Sequence, residues 1–192
     1  SVSMIMLLIK LAFKSLTPEQ RADPEWKIMA CTEDMKSAYR QCPFASSQVC
    51  TSITAVYNPF SKAVEFHEMW GQPFGAGHAV PNFCRMAEWA ARVTRRILSL
   101  ACDHFFDDFW IIEPKCTIVS AAWSFNKFMN LFGFALDKDK KQLPASMWEA
   151  LGVHFDMQTL MTSAKLIVTA KPRRLYNVAT SIVSILKSDI LR

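Results

Sequence analysis

The chain has 192 residues, 51% of them hydrophobic and 20% charged, with a net charge of +5. That is enough material for one sizeable core or two small ones, and the mild basic excess is compatible with a polyanionic partner without pointing to one. The six cysteines (Cys31, Cys42, Cys50, Cys84, Cys102 and Cys116) form no CxxC or Cys/His cluster, which argues against a zinc site and for a reduced, intracellular chain, nuclear or cytoplasmic and not secreted.

The opening run Val2 to Ile9 stops at Lys10, too short to span a bilayer and without a basic segment before it. Residues 1–15 are helix-like, and "LTPEQRADPEW" is a polar, proline-bearing connector. "KIMACTEDM" predicts a strand over 27–35, and Pro43 closes the segment "KSAYRQCP" that follows. "QVCTSITAVY" and "KAVEFHEMW" flank Asn58-Pro59 and predict a β-hairpin. "QPFGAG" is a loop. From His78 to about Leu100, apolar residues recur at helical spacing (Phe83, Met86, Ala90, Val93, Ile97), with Pro81 tolerated in the first turn.

"CDHFFDDFWIIE" predicts two strands joined by an Asp-Asp turn, and "TIVSAAWSFNKFMNLFG" a helix stopped at Gly133. The run "DKDKK" reads as a solvated charged loop. "WEALGVHFDM" and "KLIVTA" suggest a further hairpin. A last helix follows Pro172, with Leu175, Val178, Ile182 and Ile185 on one face. The Met-rich start and the helix stripes are expected to be core. This order of elements predicts an α+β fold with a mainly antiparallel sheet. Both ends break off inside helical patterns, so a fragment of a longer protein is expected.

The paired acids carry the chemistry. Asp107 and Asp108 sit between Phe105, Phe106, Phe109 and Trp110. Two adjacent carboxylates repel by about 1 kcal/mol in water at roughly 4 Å, and by about 4 kcal/mol at an effective dielectric near 20. A hairpin tip would accommodate them, since Asp is a common turn residue; a bound divalent cation would offset the repulsion. Asp34, 73 residues earlier, ends the predicted strand 27–35. Were that strand a neighbour of the Asp-Asp hairpin, three carboxylates would share one sheet edge and suit a pair of Mg²⁺ ions roughly 3.5–4 Å apart in a phosphoryl transfer.

Four blocks in order resemble the palm of a reverse transcriptase of retrotransposon type. "DMKSAYRQCP" is similar to its first catalytic motif, an Asp followed five residues later by an aromatic. "QPFGAGHAVPNFCR" resembles its Phe-Gly loop and supporting helix, and "FFDDF" its aromatic-x-Asp-Asp turn. "LFGFALDKDKKQLP" with "WEALGVHFD" looks like the Lys-bearing motif and the primer-grip hairpin. The resemblance covers roughly residues 27–158. It implies a palm of ferredoxin- or RRM-like type, an antiparallel sheet packed on helices. On this reading residues 1–26 are partial fingers and connector, 27–158 the catalytic palm, and 159–192 the connection and first thumb helix.

The resemblance further implies an RNA-directed DNA polymerase that joins a dNTP to a primer 3′-hydroxyl on an RNA or DNA template, with two Mg²⁺ ions or Mn²⁺ and no membrane partner. Asp34 and Asp107 would be the metal ligands and Asp108 the auxiliary carboxylate. Tyr39 would be the steric gate against a 2′-hydroxyl. Phe74 and Gly75 would approach nucleotide and template, and Arg85 the template phosphates. Lys141, with Lys140 as the alternative, would protonate the leaving pyrophosphate. Leu151 and Gly152 would position the primer. Two features depart from the pattern. Glu33 precedes Asp34 and should point to the opposite face, and the basic fingers residues that grip the triphosphate do not appear in the 33 residues before Asp34. The alternatives are a non-catalytic nucleic-acid-binding remnant and a viral RNA-dependent RNA polymerase palm.

Overall fold

The computed structural model describes residues 1–73 and 75–190. It is a mixed α+β chain whose strands pair into three sheets. Strands β1 (Ile28–Met35), β4 (Cys102–Phe105), β5 (Asp108–Pro114) and β6 (Leu136–Ala145) form a four-stranded sheet in the order β4-β5-β1-β6. Strand β1 lies between two neighbours and is buried along nearly its whole length, apolar from Ile28 to Cys31 and carrying the buried polar residues Thr32, Glu33 and Asp34 before Met35. Strand β6 was not among the expected elements: "DKDKK" is the middle of a ten-residue strand, not a loop. It lies at an edge of the sheet, where lysines are tolerated because they discourage pairing with another chain.

The chain divides into two compact units, and neither is a single stretch of sequence. The first comprises residues 1–32, 111–122 and 142–192. It opens with α1 (Val2–Ser15), which buries Ile5 and Ile9 while Met4 and Met6 stay exposed. The expectation of a Met-lined core stripe is therefore corrected: the buried i, i+4 pair is β-branched Ile. The connector contains a five-residue helix, α2 (Pro18–Ala22), started by a reciprocal capping box between Thr17 and Gln20 with proline at its first position. Strands β7 (Met147–Ala150), β8 (Val153–Asp156) and β9 (Ile167–Ala170) form an antiparallel sheet in that order, with α5 (Leu160–Ser163) in the β8–β9 connection. Trp148 and Phe155, cross-strand partners, stack at 5.1 Å in its core. Helix α6 (Pro172–Ile190) follows, and the expected apolar stripe is present but uncovered, with Leu175, Val178 and Ile182 all exposed.

The second unit comprises residues 33–110 and 123–141. Its core gathers Met35, Phe83, Ala87, Ala90, Phe109, Trp110, Phe125 and Met129. The hairpin of β2 (Ile53–Asn58) and β3 (Ala63–Glu68) pairs in antiparallel register, and the Asn58 side chain accepts the Phe60 amide at 2.9 Å to start its turn. Helix α3 (Ala79–Ile97) buries Phe83, Ala87, Ala90, Ala91 and Thr94 on one face. Helix α4 (Lys115–Leu131) ends two residues before Gly133, whose φ of 79° is the left-handed stop glycine supplies. Trp89 of α3 meets the rings of Phe128 and Phe132 at 5.8 and 4.9 Å.

One position in this core is over-polar. Thr94 is fully buried and its hydroxyl has no hydrogen-bond partner. An unpaired buried hydroxyl costs roughly 1–3 kcal/mol. Thr94→Val keeps the branched shape and removes the group, so we expect a gain of about 1 kcal/mol, or about 2–4 °C in Tm. Thermal unfolding of the two proteins checks this, and an unchanged or lower Tm would show that the hydroxyl is satisfied.

Candidate active site

Alternation along β1 separates its two acids. Glu33 is buried, and its carboxylate accepts a 2.8 Å bond from Asn126 Nδ2 on α4. Burial raises the Glu33 carboxyl above its ordinary value, the Asn126 bond and the charge of Lys141 opposing that rise. Asp34 therefore belongs to the other face. It too is buried, at 8% exposure.

A backbone bond joins this strand end to the paired acids. The Met35 N–H donates to the Asp107 carbonyl at 3.0 Å. Strand β4 ends at Phe105 and β5 begins at Asp108, so the two-residue turn is Phe106-Asp107, not Asp107-Asp108. Phe106 takes a φ of 53°, unusual for a bulky residue. Asp108 thus stands on the first position of a strand, beside Asp34. The Asp108 carboxyl is pushed up to about 6, first by loss of water, then by its hydrogen bond to Asp34 and the charges of Asp107 and Asp34. Below that pH the proton stays on Asp108 and is donated to Asp34, and above it the two carboxylates in contact ionise together only at a cost.

Lys140 completes the group. Its Nζ lies 3.2 Å from Asp34 Oδ1, and that bond with the Asp34 charge raises the ammonium above its ordinary value. Lys141, the next residue on β6, acts on Glu33 instead. A one-residue step along a strand decides which lysine meets which acid. The strand start is anchored by Gln41, whose side chain donates to the Ala135 carbonyl at 2.9 Å and accepts from the Ala135 amide at 2.7 Å.

Tyr39 sits on the short 3-10 turn Ala38–Gln41, its ring 5.0 Å from Phe83. Burial raises its hydroxyl, and the negative charges of Cys84 and Asp107 act in the same sense, which places the phenol in electrostatic reach of the carboxylates. Gly75 has a φ of 90°, and a Cβ there would meet no protein atom within 4 Å, so within the chain this glycine answers a backbone conformation. Phe74 lies outside the described residues. Arg85 is exposed on α3.

Leu151 and Gly152 belong to the first unit. They form the two-residue β7–β8 turn with φ of 53° and 74°, and Arg174 Nη1 donates to the Leu151 carbonyl at 3.2 Å. The structure thus brings together Asp34, Asp107, Asp108, Tyr39 and Lys140 in one unit.

The donor chemistry of the acids suits a hard divalent cation, and the Lys140 ammonium already stands as a cation on Asp34. Among the described residues, however, no group of three or more His, Cys, Asp or Glu side chains is gathered to hold a metal ion; the Asp34–Asp108 contact gathers two. No described helix is long and apolar enough to cross a membrane. Compared with known proteins, the chain matches no family model and no curated sequence.

Proposed function

We propose that this chain is the palm of an RNA-directed DNA polymerase of retrotransposon type, joining a dNTP to a primer 3′-hydroxyl on an RNA or DNA template. The observation that carries the reading is the Met35 N–H to Asp107 carbonyl bond. It sets Asp34 against the paired acids across 73 residues of sequence, the adjacency a two-carboxylate nucleotidyl-transfer site requires. The arrangement of elements supports it as well. With the β2–β3 hairpin set aside as an insertion, β1, α3, β4, β5, α4 and β6 follow in β-α-β-β-α-β order with strand order β4-β5-β1-β6, an arrangement of the split βαβ kind that is compatible with the palm the sequence resemblance implies.

Asp34 and Asp108, with Asp107 beside them, would hold Mg²⁺ or Mn²⁺. The bound cations would lower the charge on the attacking and leaving oxygens. Lys140, which pairs with Asp34, would be the ammonium available to protonate the pyrophosphate were a metal ion held by that carboxylate. That role falls to Lys140, since Lys141 serves Glu33. Tyr39, packed on Phe83, would lie under the sugar and exclude a 2′-hydroxyl.

Primer extension on poly(rA)/oligo(dT) with Mg²⁺ or Mn²⁺ tests the reading beside an Asp34→Asn control. We expect incorporation by the unmutated chain and a loss of at least about a hundredfold in the control. Template–primer binding without incorporation, even with Mn²⁺ and the chain extended upstream, would instead favour a non-catalytic nucleic-acid-binding protein.

A further inference from the structure

His104, on β4 two residues before the strained Phe106, makes two contacts the catalytic reading does not use. Its Nδ1 lies 3.2 Å from the Phe106 carbonyl, and its Nε2 lies 3.2 Å from Glu88 Oε2 on α3. Its ring stacks on Phe109 of β5 at 5.5 Å. The side chain is only 11% exposed. Both ring nitrogens therefore face oxygens. A carbonyl only accepts, and so does an ionised carboxylate.

Glu88 is held ionised by its surroundings. Arg92 bonds its Oε1 and Arg95 lies 3.6 Å from the same oxygen; Arg92 foremost, with His104, keeps the carboxyl below its ordinary value. Arg95 is shared with Asp103 at 3.2 Å. The charged groups around the ring are thus Glu88, Arg92 and Arg95 from α3 and Asp103 from its own strand. Two cations balance two anions, and Glu88 Oε2 is left to the histidine.

We propose that His104 is a positioning residue for the paired acids, a clamp that ties the Phe106 carbonyl to Glu88 and so holds the Phe106-Asp107 turn in register against β1. The inference rests on the polymerase reading for its consequence but not for its geometry. An aromatic residue at positive φ persists only where its surroundings fix it. The clamp supplies that restraint at the carbonyl of the residue just before Asp107. The next carbonyl, that of Asp107, is the acceptor for Met35, so a turn that relaxes at Phe106 lengthens the bond that brings Asp34 to the site.

The test uses His104→Phe, which keeps the stack on Phe109 and removes both hydrogen bonds, and Glu88→Gln as a second variant should the first fail to fold. The first readout is amide exchange at Met35, whose N–H reports the turn directly. We expect exchange at Met35 to rise about tenfold in His104→Phe, the effect of losing one hydrogen bond of about 1.4 kcal/mol, and by less in Glu88→Gln, whose amide still pairs with Nε2, with the amide of Ala90 in α3 unchanged. The second is ¹⁵N NMR of the His104 ring, expected to show both ring nitrogens in hydrogen bonds and a change at Nε2 in Glu88→Gln. The third is incorporation, expected to lose kcat with KM for template–primer unchanged, and in His104→Phe to recover at no pH.

Unchanged Met35 exchange in His104→Phe, or a His104 ring nitrogen outside any hydrogen bond in the unmutated protein, would overturn the clamp whatever the activity. Incorporation that responds to Asp34→Asn but not to His104→Phe would also overturn it and leave the polymerase reading standing. A chain that never incorporates nucleotide but shows the exchange and NMR changes would do the opposite, sinking the function and keeping the clamp.

Discussion

Asp108→Asn should make the protein more stable at neutral pH and, on the polymerase reading, less active, two effects in opposite directions from one group exchanged. The folded Asp108 carboxyl, pushed up to about 6, binds its proton more tightly than in the unfolded chain, where a value near 3.9 is ordinary. An acid shifted upward gives a favourable contribution that is complete below about pH 4 and lost as pH rises through about 6. At neutral pH the folded state therefore carries the full cost of crowded charges. Asparagine removes that charge and still donates to Asp34. Because Asp108 is an exposed residue, water screens part of the effect, and we expect a gain of about 1 kcal/mol, or about 2–4 °C in Tm.

The gain should vanish near pH 4, where the unmutated carboxyl is neutral. On the polymerase reading, Mg²⁺ should reverse the ranking. At ten times its dissociation constant the ion would stabilise the unmutated protein by about 1.4 kcal/mol and the variant by less, because a ligand has been lost. Incorporation should fall about tenfold or more in the variant. Thermal melts across pH, with and without Mg²⁺, check the stability arm without requiring any activity. A variant less stable than the unmutated protein at neutral pH would mean that Asp108 is not desolvated against Asp34 at all.

The site was legible in the sequence to the extent that its parts are local. The apolar run of β1, the aromatic frame of Asp107 and Asp108 and the helical spacing around Phe83 each announce an element within a few residues. The opposite facing of Glu33 and Asp34 follows from the two-residue period of a strand. What stayed hidden depends on pairing between distant segments. Whether Asp34 meets the paired acids is a question of sheet order, which no spacing along the chain determines.

Strand β6 was missed because its middle, Asp137 to Lys141, is all charge, a composition depleted in strands except where an edge favours it. With the strand unseen, the choice between Lys140 and Lys141 had no register to decide it. The turn was misplaced by one residue because Asp is a better turn former than Phe, and what stabilises Phe106 at positive φ is a histidine bridged to a glutamate 16 residues away. The sequence signal for that bridge is weak: Glu88, Arg92 and Arg95 sit at i, i+4 and i+7 of one helix face, a cluster that only tertiary contact explains.

Gly71→Ala should be among the most damaging single substitutions outside the carboxylates, although it adds one methyl group to a loop. Gly71 has no special φ. Its constraint is space: a Cβ there would lie 2.3 Å from the Arg40 carbonyl oxygen and 2.8 Å from Arg40 Cα. Both are backbone atoms that no side-chain rotation can move. The segment is also fixed on either side. Pro43 and Gly71 form an antiparallel bridge, the Gln72 N–H donates to the Cys42 carbonyl at 3.0 Å, and the Phe44 N–H donates to the Trp70 carbonyl at 3.0 Å. Relief has to come from shifting Arg40, and Arg40 follows Tyr39. Forcing a methyl into such a contact costs roughly 1–3 kcal/mol, which for a chain of this size lowers Tm by about 3–10 °C. On the polymerase reading the displaced Tyr39 ring should also exclude ribonucleotides less well, in the same direction as Tyr39→Ala and to a smaller extent. Gly75→Ala separates space from conformation, because nothing lies within 4 Å of its Cβ position and only the φ of 90° resists the change. It should cost about 1 kcal/mol and leave ribonucleotide exclusion where it was. A Tm for Gly71→Ala within a degree of the unmutated protein would mean that the 70–72 and 42–44 segments are not in contact, and the support beneath Tyr39 would have to be sought elsewhere.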